Sequence, residues 1–307
     1  MKSTLRQYTP VALLLAVIVA VSSCLSLVIG GKDEDGRTRV LATTYPLYVA
    51  AQNLMSGTDT LRLDGLAAAG SGCLHDYQLT PADRLAVDRA HVILANGGGA
   101  EEFLDGLVDE KRLVDTSAGM ELICSDHHHE GEDHHEEYNE HIWVSPQRYA
   151  KQVLVVLDTL IAMDPENAAV YRGNAENYLR YVDFLWQEMQ AVALSGRPCV
   201  LFHNSLSYLA VDLGLDVKLT LTADGESGIA AEALAEVERL AKENPDLILL
   251  YDTQYPLRYT AVEALVPAGN VLAMETGVMD KGKTTDWVDA MTENAKKLNQ
   301  LTGGDAP

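Results

Sequence analysis

Short apolar runs recur along the chain from about residue 39 onward, and most are followed by a segment in which apolar side chains return every three or four positions. The first pattern predicts buried strands and the second amphipathic helices, so their alternation predicts an α/β fold with parallel sheets. In the first half the expected strands are 39–42, 60–63, 91–95 and 112–114. In the second half they are 198–202, 216–220, 247–251 and 270–274. Thr80-Pro81 opens a helix, with Thr80 as its N-cap and Pro81 in the first helical position. A further helix over 229–242 stops before Pro245. Between the halves, Ser145-Pro146 starts a helix running to Met163. Asp164-Pro165 starts another that keeps helical spacing through Tyr171, Tyr178, Leu185 and Met189 to Leu194. A helix of about 29 residues would span ~43 Å, enough to run the height of a two-lobed molecule.

The chain begins with a different pattern. Lys2 and Arg6 precede an apolar run from Val11 to Val21, the layout of a signal peptide, and Val21-Ser22-Ser23-Cys24 resembles a bacterial lipobox. Lipidation at Cys24 would place two acyl chains in a bilayer, which suffices for stable anchoring. Because Leu25 to Ile29 prolongs the apolar run, an uncleaved membrane anchor is the alternative. Both place the chain from about Gly30 onward outside the cytoplasm. Composition agrees with a cation partner: 23 Lys and Arg stand against 45 Asp and Glu, a formal charge of −22. Such a surface repels nucleic acid and attracts cations. Apart from Cys24 there are three cysteines, Cys73, Cys124 and Cys199, and sequence leaves their redox state open.

The chemistry concentrates in one tract. DHHHEGEDHHEEYNEH, from Asp126 to His141, holds six of the nine histidines and seven carboxylates. It lacks apolar periodicity and reads as a solvated, metal-binding loop. A second, ordered site emerges from residues at the ends of expected strands. His75 lies in a loop between a strand and the Thr80 helix, and His141 ends the acidic tract just ahead of the Pro146 helix. His203 follows strand 198–202, and Glu275 follows strand 270–274. Ligands of parallel α/β sheets bind beyond the carboxyl ends of strands. Three imidazoles and a carboxylate suit a tetrahedral or open Zn²⁺ site, and two donors from each half would place it in a cleft between lobes.

At these residues the sequence resembles a known family. HDYQLTPADRLAVDRAHVILANGGGAEEFL, EHIWVSPQRYA, LFHNSLSYLAVDLGL and METGVMDKGKTTDWVDAMTENAKKL are together similar to the metal-binding solute-binding proteins of zinc and manganese ABC transporters, over nearly all of the chain after the leader. The resemblance implies two α/β lobes, each with a mostly parallel sheet, joined by one long rigid helix, with metal in the interlobe cleft. The division it implies is a signal peptide over 1–24, a tether over 25–37, an N-terminal lobe over 38–164 with the acidic loop 125–140, the linking helix over 165–195, and a C-terminal lobe over 196–307. The ligands it implies are His75, His141, His203 and Glu275, with water as the alternative to Glu275 in the fourth position. His127, His128, His129, His134 and His135 would form a weak accessory metal loop.

The implied function is capture of Zn²⁺ as transported cargo and its delivery to a membrane permease with its ATPase, by a monomeric, lipid-anchored, extracytoplasmic protein. A manganese or iron carrier is the alternative within the family, where Glu usually replaces His203. A zinc hydrolase is the alternative outside it, but no motif supplies a general base or a substrate pocket. Four local features depart from the resemblance or from simple motifs. Glu275 stands where Asp is common, and Asn204 where Asp often follows the third histidine. His91, leading into an apolar strand, reads as structural. Asn96-Gly97-Gly98-Gly99 lacks the Lys-Ser/Thr of a phosphate loop and reads as a tight turn.

Overall fold

The computed structural model describes residues 36–66, 77–124, 138–221, 229–254 and 260–301. Two four-stranded sheets form, one in each half, and every strand pairing is parallel. The first contains β1 (Thr38–Ala42), β2 (Leu61–Gly65), β3 (Val92–Ala95) and β4 (Leu113–Asp115), in the order β2-β1-β3-β4. The second contains β5 (Pro198–Leu201), β6 (Asp216–Thr220), β7 (Ile248–Asp252) and β8 (Val271–Met274), in the order β6-β5-β7-β8. All eight strands expected from sequence are present, within two residues at each end. Central strands β3 and β5 are buried throughout, as strands covered on both faces must be, and this explains their unbroken apolar runs.

Both sheets share one topology, in which the chain leaves the first strand in one direction and returns on its other side. The reversal lies between β1 and β3 in one lobe and between β5 and β7 in the other. Crevices at such points are where parallel sheets receive ligands.

Helices cover these sheets. They are α1 (Tyr45–Leu54), α2 (Pro81–Arg89), α3 (Pro146–Met163), α4 (Ala168–Gln190), α5 (Ser207–Asp212), α6 (Ala231–Glu243), α7 (Thr260–Glu263) and α8 (Asp286–Gln300). At α2 the expected cap forms: Thr80 accepts from the Asp83 amide, and the Asp83 carboxylate accepts from the Thr80 amide. This reciprocal box satisfies two of the donors a helix start leaves open.

The linking helix is shorter than the sequence suggests. α4 has 23 residues, and Pro165–Asn167 form a separate 3₁₀ turn before it. The Asp164 carboxylate accepts from Thr60, from Asn167 at 2.8 Å and from Tyr171 at 2.6 Å, which holds Asp164 out of the helical conformation at φ −145°. At the other end Ala193 adopts φ +54°, the left-handed turn that stops a helix. At about 35 Å, α4 still reaches both lobes. It packs on α1 and α3 of the first and on α8 of the second.

A single apolar cluster runs through all of this. It joins Val40 and Leu94 of one sheet to Leu201 and Ile248 of the other through Tyr149, Val182, Trp186, Trp287 and Met291. Two tryptophans clasp the lobes at its centre. Trp143 Nε1 donates to the Thr276 carbonyl at 2.9 Å, and Trp287 Nε1 donates to the Trp143 carbonyl at 3.1 Å. The Trp287 ring stacks on Tyr149, with centroids 4.0 Å apart. Gly277 makes room for it: a Cβ there would come within 2.9 Å of Trp287 Cδ1. Arg148 and Ser145 of α3 and its approach both reach Asp212 of α5, at 2.8 Å and 2.6 Å. Tyr45 of α1 donates to Asp286 of α8 at 2.6 Å.

The Asn96 turn is a turn, as expected. A Cβ on Gly97, at φ +86°, would strike Asp115 Oδ1 at 1.9 Å. Its amide, and that of Asn96, donate to the buried Glu101 carboxylate at 3.1 and 2.7 Å. Burial pushes the Glu101 carboxyl up to about 7, against hydrogen bonds from Thr43, Asn96 and Gly97 that favour the charged form. Folded protein therefore holds a proton there that unfolded chain releases, so this contribution to stability is complete below pH ~4.5 and is lost as pH rises through 7. In chemical denaturation of metal-free protein, Glu101→Gln should gain on the wild type by up to about 3 kcal/mol between those limits. A stability difference that stays flat with pH would refute the assignment.

Candidate metal centre

Of the four expected ligands, His75 lies outside the described residues, as do His127, His128, His129, His134, His135, Cys24 and Cys73. The other three can be placed. His141 begins the 3₁₀ turn Ile142–Val144 ahead of α3 and is 4% exposed. Its backbone amide and its ring Nδ1 both meet Asn139 Oδ1, at 2.9 and 3.1 Å. A carbonyl oxygen only accepts, so Nδ1 carries the proton and Nε2 is the nitrogen with the lone pair. A metal-ligating histidine is commonly held in this way, with its other ring nitrogen donating to a fixed acceptor.

His203 follows β5 and faces His141 from the second lobe. The two ring centroids lie 5.6 Å apart with planes nearly perpendicular. Its backbone has φ +137°, a conformation strained for any side chain, of the kind that clusters at functional sites. The Ser205 amide donates to His203 Nδ1 at 3.1 Å, so a neutral ring holds its proton on Nε2. To ligate, His203 must give up this hydrogen bond or turn its ring over. The two rings therefore differ: Asn139 fixes the proton of His141 on Nδ1, and Ser205 fixes that of His203 on Nε2.

Asn139 joins the two. Its side-chain amide donates to the Asn204 carbonyl at 2.6 Å, next to His203, while its Oδ1 orients His141. Tyr208 in turn donates to the Asn139 carbonyl at 2.8 Å. The unusual Asn204 therefore contributes through its backbone. Asp252, at the end of β7, is buried and accepts from Ser205 Oγ at 3.0 Å. Burial, with the Glu275 charge nearby, raises its carboxyl to about 6. Ser205 thus bonds both Asp252, through its hydroxyl, and His203, through its amide.

Glu275 is placed less favourably. Asn294 grips its backbone from both sides, at 2.7 Å each, but the carboxylate is 27% exposed and lies 4.0 Å from Lys297 Nζ. Among the described residues no three His, Cys, Asp or Glu side chains gather closely enough to hold a metal ion. The structure thus pairs His141 with His203 and leaves Glu275 outside that pair. His91 accepts from the Arg39 amide of β1 at 3.0 Å, a structural role. Cys199 is a buried free thiol on β5, and Cys124 is an exposed one. No helix of the described residues is long and apolar enough to cross a membrane.

Two parallel-sheet lobes spanned by one helix, with a histidine from each lobe meeting at their seam, define the class of helix-linked solute-binding proteins. The profile of the ZnuA family, zinc-uptake complex component A, periplasmic, matches residues 40–301, and the chain belongs to that family. The zinc-binding lipoprotein AdcA of Streptococcus pneumoniae is 26% identical over 303 residues, covering 90% of this chain and 58% of its own. The chain therefore spans less than two thirds of that relative. The manganese-binding lipoprotein MntA of Halalkalibacterium halodurans is 25% identical, with 86% and 88% covered. A crystal structure of ZnuA superposes with a TM-score of 0.67 at 22% identity, covering 86% of this chain and 99% of that one.

Proposed function

We propose that the protein captures Zn²⁺ outside the cytoplasm in the cleft between its lobes and delivers it to an ABC permease and its ATPase. The carrying observation is the His141–His203 pair, one imidazole from each lobe, with the first locked in its ligating tautomer by Asn139. His75 and Glu275 are the further donors of this reading, and Cys24 is its lipid anchor, holding a monomer at the membrane. Two nitrogen donors favour zinc over manganese or iron, whose sites are richer in oxygen. The charge of −22 supports cation capture, and family membership supports binding over catalysis.

Competition titration tests the metal. Zn²⁺ should displace Mn²⁺ and Fe²⁺ from the purified protein, and tighter Mn²⁺ binding would refute the zinc assignment. Acid should release the ion, since protons compete for the same imidazole lone pairs. The five histidines from His127 to His135 act in this scheme as a weak zinc-collecting loop. Deleting residues 126–137 should remove weak sites and leave the tight one. Loss of the tight site on that deletion would show that the loop and cleft do not divide the work.

A further inference from the structure

Asn139 is buried, and its backbone and side-chain polar groups are all committed. Within its own lobe, its amide donates to the Ile123 carbonyl at 2.8 Å, and its Oδ1 accepts from the amide and ring of His141. From the second lobe, its carbonyl accepts from the Tyr208 hydroxyl at 2.8 Å, and its Nδ2 donates to the Asn204 carbonyl at 2.6 Å. The bond to Asn204 decides which way the side chain faces. Turned over, the amide would set its oxygen against a carbonyl and its NH₂ against the His141 amide, and both ends would lose their bonds. Tyr208, fully buried on α5, accepts a second bond from the Ile123 amide at 3.2 Å. Its ring is seated by Arg148 of α3, whose Cζ lies 4.6 Å over the ring centroid. The same guanidinium grips Asp212, on the next turn of α5, with two bonds of 2.8 and 3.0 Å.

We propose that Tyr208 is a positioning residue for the His141 ring, acting from the opposite lobe through Asn139. Its use rests on the metal-capture reading above, to which it adds a means of regulation. The proton on His141 Nδ1 keeps its acceptor only while Asn139 Oδ1 is aimed at it, and the aim comes from α5 and the Asn204 turn of the second lobe. A histidine of one lobe is therefore set by the other. Without the Tyr208 hydroxyl, the Asn139 carbonyl and the Ile123 amide each lose a bond in a buried place. Groups left so are costly enough to move the backbone or draw in water. Asn139 shifts with that backbone, and the ring loses what fixes its proton. Drawing α5 away from the seam has the same effect without any substitution. A receiving protein that displaces α5 thereby weakens the hold of His141 on the ion, with no need to touch the ligands.

Tyr208→Phe keeps the ring beneath Arg148 and removes only the hydroxyl. Tyr45→Phe is its control, since the Tyr45 hydroxyl also crosses the seam, to Asp286, but makes no bond to Asn139. Nitrogen NMR of the histidine rings reads the tautomer in the metal-free full chain, with the His141 signal assigned by its loss in His141→Ala. The proton should sit on Nδ1 in the wild type and in Tyr45→Phe, and the Nε2–H form should gain population in Tyr208→Phe. In chelator competition, Tyr208→Phe should lower Zn²⁺ affinity toward the lower end of the roughly 10–100-fold range for an outer hydrogen-bonding partner. Tyr45→Phe should keep the wild-type affinity. An unmoved tautomer in Tyr208→Phe overturns the proposal, and so does an equal shift in both variants, which would assign the effect to the seam at large. A wild-type ring protonated on Nε2 overturns it without any variant having to fold. If the tautomer shifts in Tyr208→Phe alone while Zn²⁺ affinity stays the same, Tyr208 positions the ring, and it is the metal-capture reading that fails at His141.

Discussion

Alanine at His141 should abolish the tight zinc site, the largest functional effect of any single substitution in the cleft. The side chain is buried, its tautomer is fixed by Asn139, and its ring meets that of His203 at the seam. No neighbouring imidazole among the described residues can replace it, since His91 is committed to β1. The loss should therefore exceed the roughly 10–100-fold that removing an orienting partner costs. Asn139→Ala supplies that lower figure for comparison: it leaves both histidines in place and removes only what aims the first and ties it to the second. Chelator competition on the two variants gives the ranking. An Asn139 variant weaker than the His141 variant would mean that Asn139 maintains the lobes and does more than orient a ring.

Trp287→Ala should have the largest effect on the fold. The side chain is fully buried, stacks on Tyr149, fills the space over Gly277 and donates to the Trp143 carbonyl. Truncating such a residue costs about 3–5 kcal/mol, a large share of the roughly 5–15 kcal/mol by which a protein is stable. Phenylalanine would keep most of the packing and lose the donor, leaving the Trp143 carbonyl without it, at about 1–3 kcal/mol. The metal should register both changes, because Trp143 is two residues from His141 and its own indole is bonded to Thr276, beside Glu275. Denaturant unfolding of metal-free protein, with zinc affinity measured in parallel, tests this. A cost below about 1 kcal/mol for the alanine variant would show that the clasp is ornamental.

The strands were legible because each is a short apolar run, and central strands such as β3 and β5 are buried on both faces and need no polar alternation. His203 was legible too, since its place just after β5 follows from the run that ends at Phe202. The length of α4 was not. Asp164-Pro165 reads as a helix start, but Asp164 gathers three side chains, among them Thr60 far away in sequence, and a 3₁₀ turn follows it before α4 begins. The shell around the histidines was hidden for the same reason. Asn139 meets Asn204 across 65 positions and Trp287 meets Trp143 across 144, and nothing in either segment marks the other. Glu275 was legible by position alone, while the pull of Lys297 on its carboxylate was not.

The apolar cluster that passes from one sheet to the other through α4, with hydrogen bonds of Trp143, Trp287, Arg148 and Tyr45 tying the lobes together, has a bearing on the size of the cargo. A molecule whose halves share one core cannot gape as a loosely hinged clam does, because each degree of opening would expose surface that water penalises. In the reading proposed above, its cargo is as small as a bare ion, which sheds its waters one at a time as the donors turn to meet it. The rate at which such an ion departs is then a matter of exchanging single bonds, and the partner that receives it has only to offer better ones.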